Sequence, residues 1–230
     1  MTERRVICVL GMHRSGTSCL TGSLQEAGID LGDCHTWNPH NRKGNRENQR
    51  IVDLNDAVLA ANAASWDRPR AKVTWRDSDL SAARAIIEAN RTSLSFGFKD
   101  PRTLLTLEGW RLALPEMEFI GIFRHPLDVA QSLNNRSGMA IEQGLALWFQ
   151  YNRRLWWHYR RRPFPVLCFD DSEAAFMAKL AGVLTGMGFD AKRWPGEFFE
   201  GALRSAQGDR SRPLAWRVQG LYKKLQQIAE

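Results

Sequence analysis

The sequence predicts an α/β protein, a P-loop-containing three-layer fold with a central parallel sheet flanked by helices. Two patterns carry the prediction. Short β-branched or aromatic runs bounded by turn residues read as buried strands, and segments of helical period lie between them. Strand alternating with helix argues for a parallel sheet covered on both faces. A third observation places a ligand: the first strand runs through a glycine-bounded loop into a helix start, the form of an anion cradle.

Taken in order, the strands are expected at residues 5–10, 94–98, 119–123 and 166–169. Helical patterns cover 16–27, 47–63, 79–90, 103–112, 126–134, 141–161 and 173–187. Residues 190–213 are rich in Gly, Pro and charge and read as a late loop, and apolar spacing over 214–228 predicts a last helix. With 230 residues and no internal repeat, a single domain over 1–230 is expected. Within it, residues 32–76 form an acceptor-side, lid-like region.

Composition sets limits. An apolar content of 43% and a charged content of 25% are those of an ordinary globular protein. No run of 18 apolar residues occurs, so no membrane-spanning helix is expected. The apolar run Val6–Leu10 is too short for a signal-peptide core and lacks a cleavage site after it. The four cysteines, Cys8, Cys19, Cys34 and Cys168, have neither paired nor zinc-ligating spacing, which fits a reducing cytoplasm. A net charge of +7 favours anionic ligands in general without choosing among nucleic acid, lipid and a small polyanion.

In open α/β sheets, ligands bind beyond the carboxyl ends of the strands. The first such end reads Gly11-Met12-His13-Arg14-Ser15-Gly16-Thr17-Ser18. Both glycines have the spacing of the nucleotide-triphosphatase loop, but Thr17 stands where its lysine would be. That lysine serves a β/γ-phosphate pair beside magnesium, so its absence argues against ATP or GTP hydrolysis. Arg14 supplies a cation instead, and Ser15, Thr17 and Ser18 supply hydroxyls at the helix start. Another strand end reads Arg124-His125-Pro126-Leu127-Asp128, with Ser132 two turns along the helix. Pro126 suits the first helical position and Asp128 the helix dipole. An arginine fork and a hydroxyl about 9 Å further along can hold one phosphate between them.

A strand followed by R-x-x-x-D-x-x-x-S, downstream of an R-S-G-T-S loop, resembles the sulfotransferase superfamily that uses 3′-phosphoadenosine 5′-phosphosulfate (PAPS). The resemblance is clear over about residues 5–170. It implies that Arg14, Ser15, Gly16, Thr17 and Ser18 hold the 5′-phosphosulfate and that Arg124 and Ser132 hold the 3′-phosphate. It also implies PAPS as donor, adenosine 3′,5′-bisphosphate as product and no metal. Arg14 is then the cation that stabilises charge on the bridging phosphate oxygen. Lys99-Asp100-Pro101-Arg102, after the second strand, is similar to a segment of bacterial members. Asp100 is expected to cap a helix beginning at Pro101, while Lys99 and Arg102 could equally contact ligand or form salt bridges.

Sulfuryl transfer to a hydroxyl, less readily to an amine, needs alignment, charge stabilisation and a general base. Glu47 is the first candidate for the base, because many relatives with this loop use a carboxylate from that region. His35, with a suitable ordinary pKa, is the second. His13 is better placed to touch nucleotide than acceptor, and Asp100 is an outsider. Relatives often bring a late-loop cation to the 3′-phosphate, and Arg204, Arg210 and Arg212 are the choices here. Trp37, Trp66 and Trp75 could stack on an acceptor or simply fill a small core. The aromatic and arginine-rich stretch 147–162 places Leu147, Tyr151, Leu155 and Tyr159 on one helical stripe, so it reads as a core helix with a basic face rather than a nucleic-acid or membrane surface. The acceptor is a small molecule or a glycan; nucleic acid is not expected, and a homodimer is left open. Two rivals stand beside this reading, a P-loop small-molecule kinase and a non-catalytic nucleotide- or polyanion-binding protein.

Overall fold

A computed structural model describes residues 4–36, 44–90, 92–192, 194–198 and 207–229. Its centre is a four-stranded sheet in the order β2-β1-β3-β4, where β1 is Arg5–Leu10, β2 Ser95–Lys99, β3 Glu118–Phe123 and β4 Val166–Cys168. Every pairing is parallel, with Cys8 opposite Phe98 and Phe119, and Phe123 opposite Cys168. All four strands therefore end at one edge, and the loops after Leu10, Lys99, Phe123 and Cys168 leave the sheet together.

Side chains alternate across each strand, and this divides the core. Val6, Cys8 and Leu10 join Phe98, Phe123 and Val166 on one face, while Ile7 and Val9 join Ile120, Ile122 and Leu167 on the other. The second face is covered by α1 (Thr17–Glu26) through Leu20 and Leu24, and by α7 (Glu173–Gly186) through Phe176 and Leu180. The first face takes α2 (Gln49–Ala61), α3 (Asp77–Asn90), α4 (Thr103–Ala113), α5 (Pro126–Ser137), α6 (Ile141–Arg161) and α8 (Trp216–Gln226). The result is the expected three-layer arrangement. Cys8 and Cys168 are buried free thiols, and burial pushes the Cys168 thiol up to about 12.

Local chemistry sets the helix starts. Asn48 accepts hydrogen bonds from the Arg50 and Ile51 amides, and Ser172 accepts one from Ala175. His125 caps α5 by accepting from the Leu127 N–H, and Pro126 follows at the first helical position. The helical pattern from Thr103 holds, whereas the cap expected at Asp100 before Pro101 does not. Pro101 and Arg102 form a turn first, closed by the Thr103 amide on the Asp100 carbonyl (3.0 Å), and α4 begins at Thr103. On α6, Leu147, Trp148, Tyr151 and Leu155 are buried and Tyr159 is half-buried, while Arg153, Arg160 and Arg161 are exposed. That is the core helix with a basic face. No helix of the described residues is long and apolar enough to cross a membrane.

Candidate functional site

The loop between β1 and α1 is held in an uncommon backbone conformation. Arg14 has φ 65° and Gly16 φ 87°, both left-handed. Gly16 needs that freedom and also needs to lack a side chain, since a Cβ there would lie 2.4 Å from the Phe169 ring. Gly16 is the N-cap of α1 and offers its first amides no side-chain hydrogen bond. The Ser15 hydroxyl is fully buried in this loop and has no hydrogen-bond partner among the described residues.

Two residues 118 apart in sequence meet here. Arg14 Nε donates to Ser132 Oγ at 2.7 Å. Arg124, 4% exposed, opens the same helix junction, its guanidinium 5.7 Å from the Phe169 ring centre and 3.8 Å from Asp128 Oδ2. Burial lowers the proton affinity of Arg14, and the neighbouring charges of Arg136 and Arg124 lower it further.

The late loop closes this cluster. Arg210 Nη2 donates to Asp128 Oδ2 at 2.6 Å and to Asp170 Oδ1 at 2.8 Å, and the Gly208 amide donates to Asp128 Oδ1 at 2.9 Å. Asp170, just beyond β4, also takes the His125 amide at 2.5 Å. Burial would raise the Asp128 carboxyl, but hydrogen bonds from Arg210 and Gly208, with the charges of Arg210 and Arg124, hold it below the usual range. For Asp170 burial prevails and the carboxyl is raised. Of the three late-loop arginines, Arg210 reaches the cluster. Arg212 pairs with Glu142 at 2.5 Å, and Arg204 lies outside the described residues, as does Trp37.

A second cluster forms around β2. Lys99, 1% exposed, places Nζ 2.7 Å from Glu47 Oε1 and 3.3 Å from Ser18 Oγ, while the Ser18 hydroxyl donates to the Asn45 carbonyl. Lys99 thus brings an ammonium from the neighbouring strand to the start of α1. Arg102 pairs with Asp100 (2.9 Å) and Asp56 (2.7 Å). Salt bridging therefore describes both basic residues of the Lys99–Arg102 segment. Asp100 is buried and accepts from Asn55 Nδ2 (2.8 Å) and from Arg102. Burial raises its carboxyl against the opposing charge of Arg102.

The two favoured base candidates sit differently. Glu47 joins Lys99 and Ser18 at the start of α1. His35 is exposed, with its ring nitrogen 2.9 Å from Gln49 Oε1, although its backbone pairs with Glu47 and Arg46. His13 turns its ring onto Trp66 (centroids 4.9 Å apart) and Tyr151 (5.9 Å), an aromatic wall from α6 and the segment after α2. Trp75 packs instead on Trp110, 5.7 Å between ring centres, as core filling.

Sequence reasoning missed the Lys99–Glu47 pair and the role of Asp170 as an anchor for the late loop. A lysine closing the buried run Phe96-Gly97-Phe98 was a usable signal for the first; none pointed to the second. Among the described residues, no group of three or more His, Cys, Asp or Glu side chains is placed to hold a metal.

A model of the "Sulfotransferase family" matches residues 6–190. Over its whole length the chain also resembles the sulfotransferase domain of the olefin synthase of Synechococcus PCC 7002, with 14% identity, a TM-score of 0.55 and 90% of that chain covered. A second similar structure is the sulfotransferase STF1 of Mycobacterium tuberculosis H37Rv, with 14% identity and a TM-score of 0.50 over 97% of this chain and 76% of that one. At such identities the likeness concerns the fold. No curated protein matches the sequence.

Proposed function

The chain belongs to the sulfotransferase family, and we propose that it moves the sulfuryl group of PAPS onto a hydroxyl of a small-molecule or glycan acceptor. The observation that carries this reading is the 2.7 Å contact of Arg14 Nε with Ser132 Oγ. It joins the loop suited to a phosphosulfate and the helix suited to a second phosphate into one continuous anion site. The chain's residues fit such a donor. Ser15 Oγ is a buried hydroxyl in want of a partner, Arg14 meets Ser132 on the helix that follows Arg124, and Lys99 reaches Ser18 at the start of α1.

When bound, PAPS supplies a sulfuryl group on a good leaving phosphate. Arg14 is placed to stabilise charge growing on the bridging oxygen as the sulfur–oxygen bond to phosphate breaks. Glu47 is the residue we assign to accept the acceptor's proton as the new sulfur–oxygen bond forms. Its partner Lys99 keeps the carboxylate fixed beside Ser18. Arg124 and Ser132 are assigned to the 3′-phosphate, and Arg210 anchors the late loop beside them. The segment after α2, through Trp66, supports the acceptor side.

PAPS and adenosine 3′,5′-bisphosphate should each raise the melting temperature without added metal. A ligand at a hundred times its Kd stabilises by about 2.7 kcal/mol, which a thermal shift detects easily. Ser132→Ala and Arg124→Ala should shrink the shift. No shift with either nucleotide at saturating concentration would rule the donor assignment out.

A further inference from the structure

The donor assignment leaves two polar groups near the loop unused, His13 and Arg136. His13 Nε2 is shielded from solvent and has no hydrogen-bond partner among the described residues. The ring lies against Trp66 and edge-on to Tyr151, and Tyr151 in turn donates its hydroxyl to the Trp66 carbonyl at 2.8 Å. A polar atom buried without a partner costs about 1–3 kcal/mol. Beside a candidate reaction centre, such an atom marks a place where a ligand's polar group completes the set. Burial, followed by the charges of Arg102, Lys99, Arg136 and Arg14, holds the imidazole well below its ordinary pKa. A neutral imidazole both donates and accepts, which suits a hydroxyl.

Arg136 lies in the last turn of α5, one turn beyond Ser132, and residues four apart share a helix face. Ser132 touches Arg14, so Arg136 stands beside Arg14, and its charge is felt there and at His13. It is exposed, and it makes no hydrogen bond or ion pair among the described residues. Lys99, Arg102 and Arg210, by contrast, are each tied to a carboxylate.

We propose that the acceptor is a small hydroxylated molecule bearing a carboxylate or phosphate, with Arg136 taking that anion and His13 Nε2 the acceptor hydroxyl against the Trp66 ring. The inference rests on the PAPS reading, because it places the acceptor next to the phosphosulfate loop. Arginine's planar fork serves either anion, and an exposed, unpaired guanidinium at the rim can take it without breaking an existing pair.

The test is calorimetric titration of protein saturated with adenosine 3′,5′-bisphosphate. The probes are 4-hydroxyphenylacetate, 4-hydroxyphenyl phosphate and the neutral 4-hydroxyphenylacetamide. At least one anion should bind about tenfold more tightly than the amide, as expected for one new charge-assisted contact. The anion that does so identifies the group preferred. Arg136→Gln, an exposed change, should erase the preference with the variant likewise saturated with bisphosphate, so that any loss of general positive charge toward the donor does not enter the comparison. His13→Ala should weaken all three probes alike. The inference is overturned if neither anion binds more tightly than the amide, absence of all binding included, or if the preference survives Arg136→Gln. Failure of the bisphosphate to bind at all would instead sink the donor reading, and the acceptor inference with it.

Discussion

Glu47→Ala would leave the Lys99 ammonium, 1% exposed, with the Ser18 hydroxyl at 3.3 Å in place of a carboxylate at 2.7 Å. Removing one member of a buried ion pair costs about 3–5 kcal/mol, mostly through the uncompensated charge left behind. Glu47 keeps 15% of its side chain exposed, so water can partly reach the gap, and the loss should fall at the lower end, about 3 kcal/mol. Glu47→Gln retains an oxygen for Lys99 Nζ and should cost clearly less. A Glu47→Ala/Lys99→Met pair removes both charges and should be more stable than Glu47→Ala alone. Urea unfolding at pH 7, followed by tryptophan fluorescence with m-values compared, reads wild type, these three variants and the single Lys99→Met. Glu47→Ala within about 0.5 kcal/mol of wild type, or a double variant showing the sum of the two single losses, would refute the reasoning. The consequence for catalysis is direct. Activity lost in Glu47→Ala conflates a missing base with a damaged loop, whereas activity lost in a stable Glu47→Gln protein points to the base.

Two further predictions concern pH. Arg210→Ala should destabilise the protein near neutrality, and the deficit should vanish in acid. Asp128 is held below its ordinary range, so its contribution is full above the unfolded pKa of about 3.9 and is lost as pH falls through the lower folded value. Asp170, raised by burial, protonates first and starts the convergence at higher pH; unfolding curves from pH 7 to 3 that stay a constant distance apart would contradict this. His158 is buried on α6, and burial with the charges of Arg111, Arg161 and Arg154 lowers it to about 3. At 4.0 Å from Glu108 and neutral at physiological pH, it is not part of a salt bridge there. Below about 6.5 the unfolded chain binds a proton that the folded one refuses, so stability falls by up to about 1.4 kcal/mol per pH unit from this group. His158→Gln should flatten the stability profile between pH 6 and 4 measured by the same unfolding assay, and an unchanged slope would count against the assignment.

The strands and most helices were legible because each buries a run whose period declares it. β3 was placed within one residue, and Arg5–Leu10 matches throughout. The order β2-β1-β3-β4 was not legible, since pairing depends on contacts between distant segments. The helical pattern from residue 103 matches α4, but the cap was read at Asp100 because Pro101 fits either a first helical position or a turn, and the Thr103 amide on the Asp100 carbonyl selects the turn. In the candidate site, the local pattern disclosed the loop 11–18 and the Arg124–Ser132 helix. Contacts made by folding stayed hidden: Lys99 with Glu47 is 52 residues away in sequence, and Arg210 with Asp128 is 82 away. His13 shows the same limit. Its ring contacts with Trp66 and Tyr151 could not be read from its neighbours in sequence.

The central claim is a site built for a nucleotide carrying a 3′-phosphate, and one calorimetric comparison tests it most directly. Adenosine 3′,5′-bisphosphate is titrated beside ADP and beside ATP with magnesium, into wild type and Arg124→Ala. The bisphosphate should bind more tightly than ADP by at least about tenfold, as charge-assisted contacts to a phosphate at the 3′ position, where ADP has a hydroxyl, predict, and Arg124→Ala should collapse that ratio. ADP binding as tightly as the bisphosphate, or a ratio that Arg124→Ala leaves unchanged, would contradict the account.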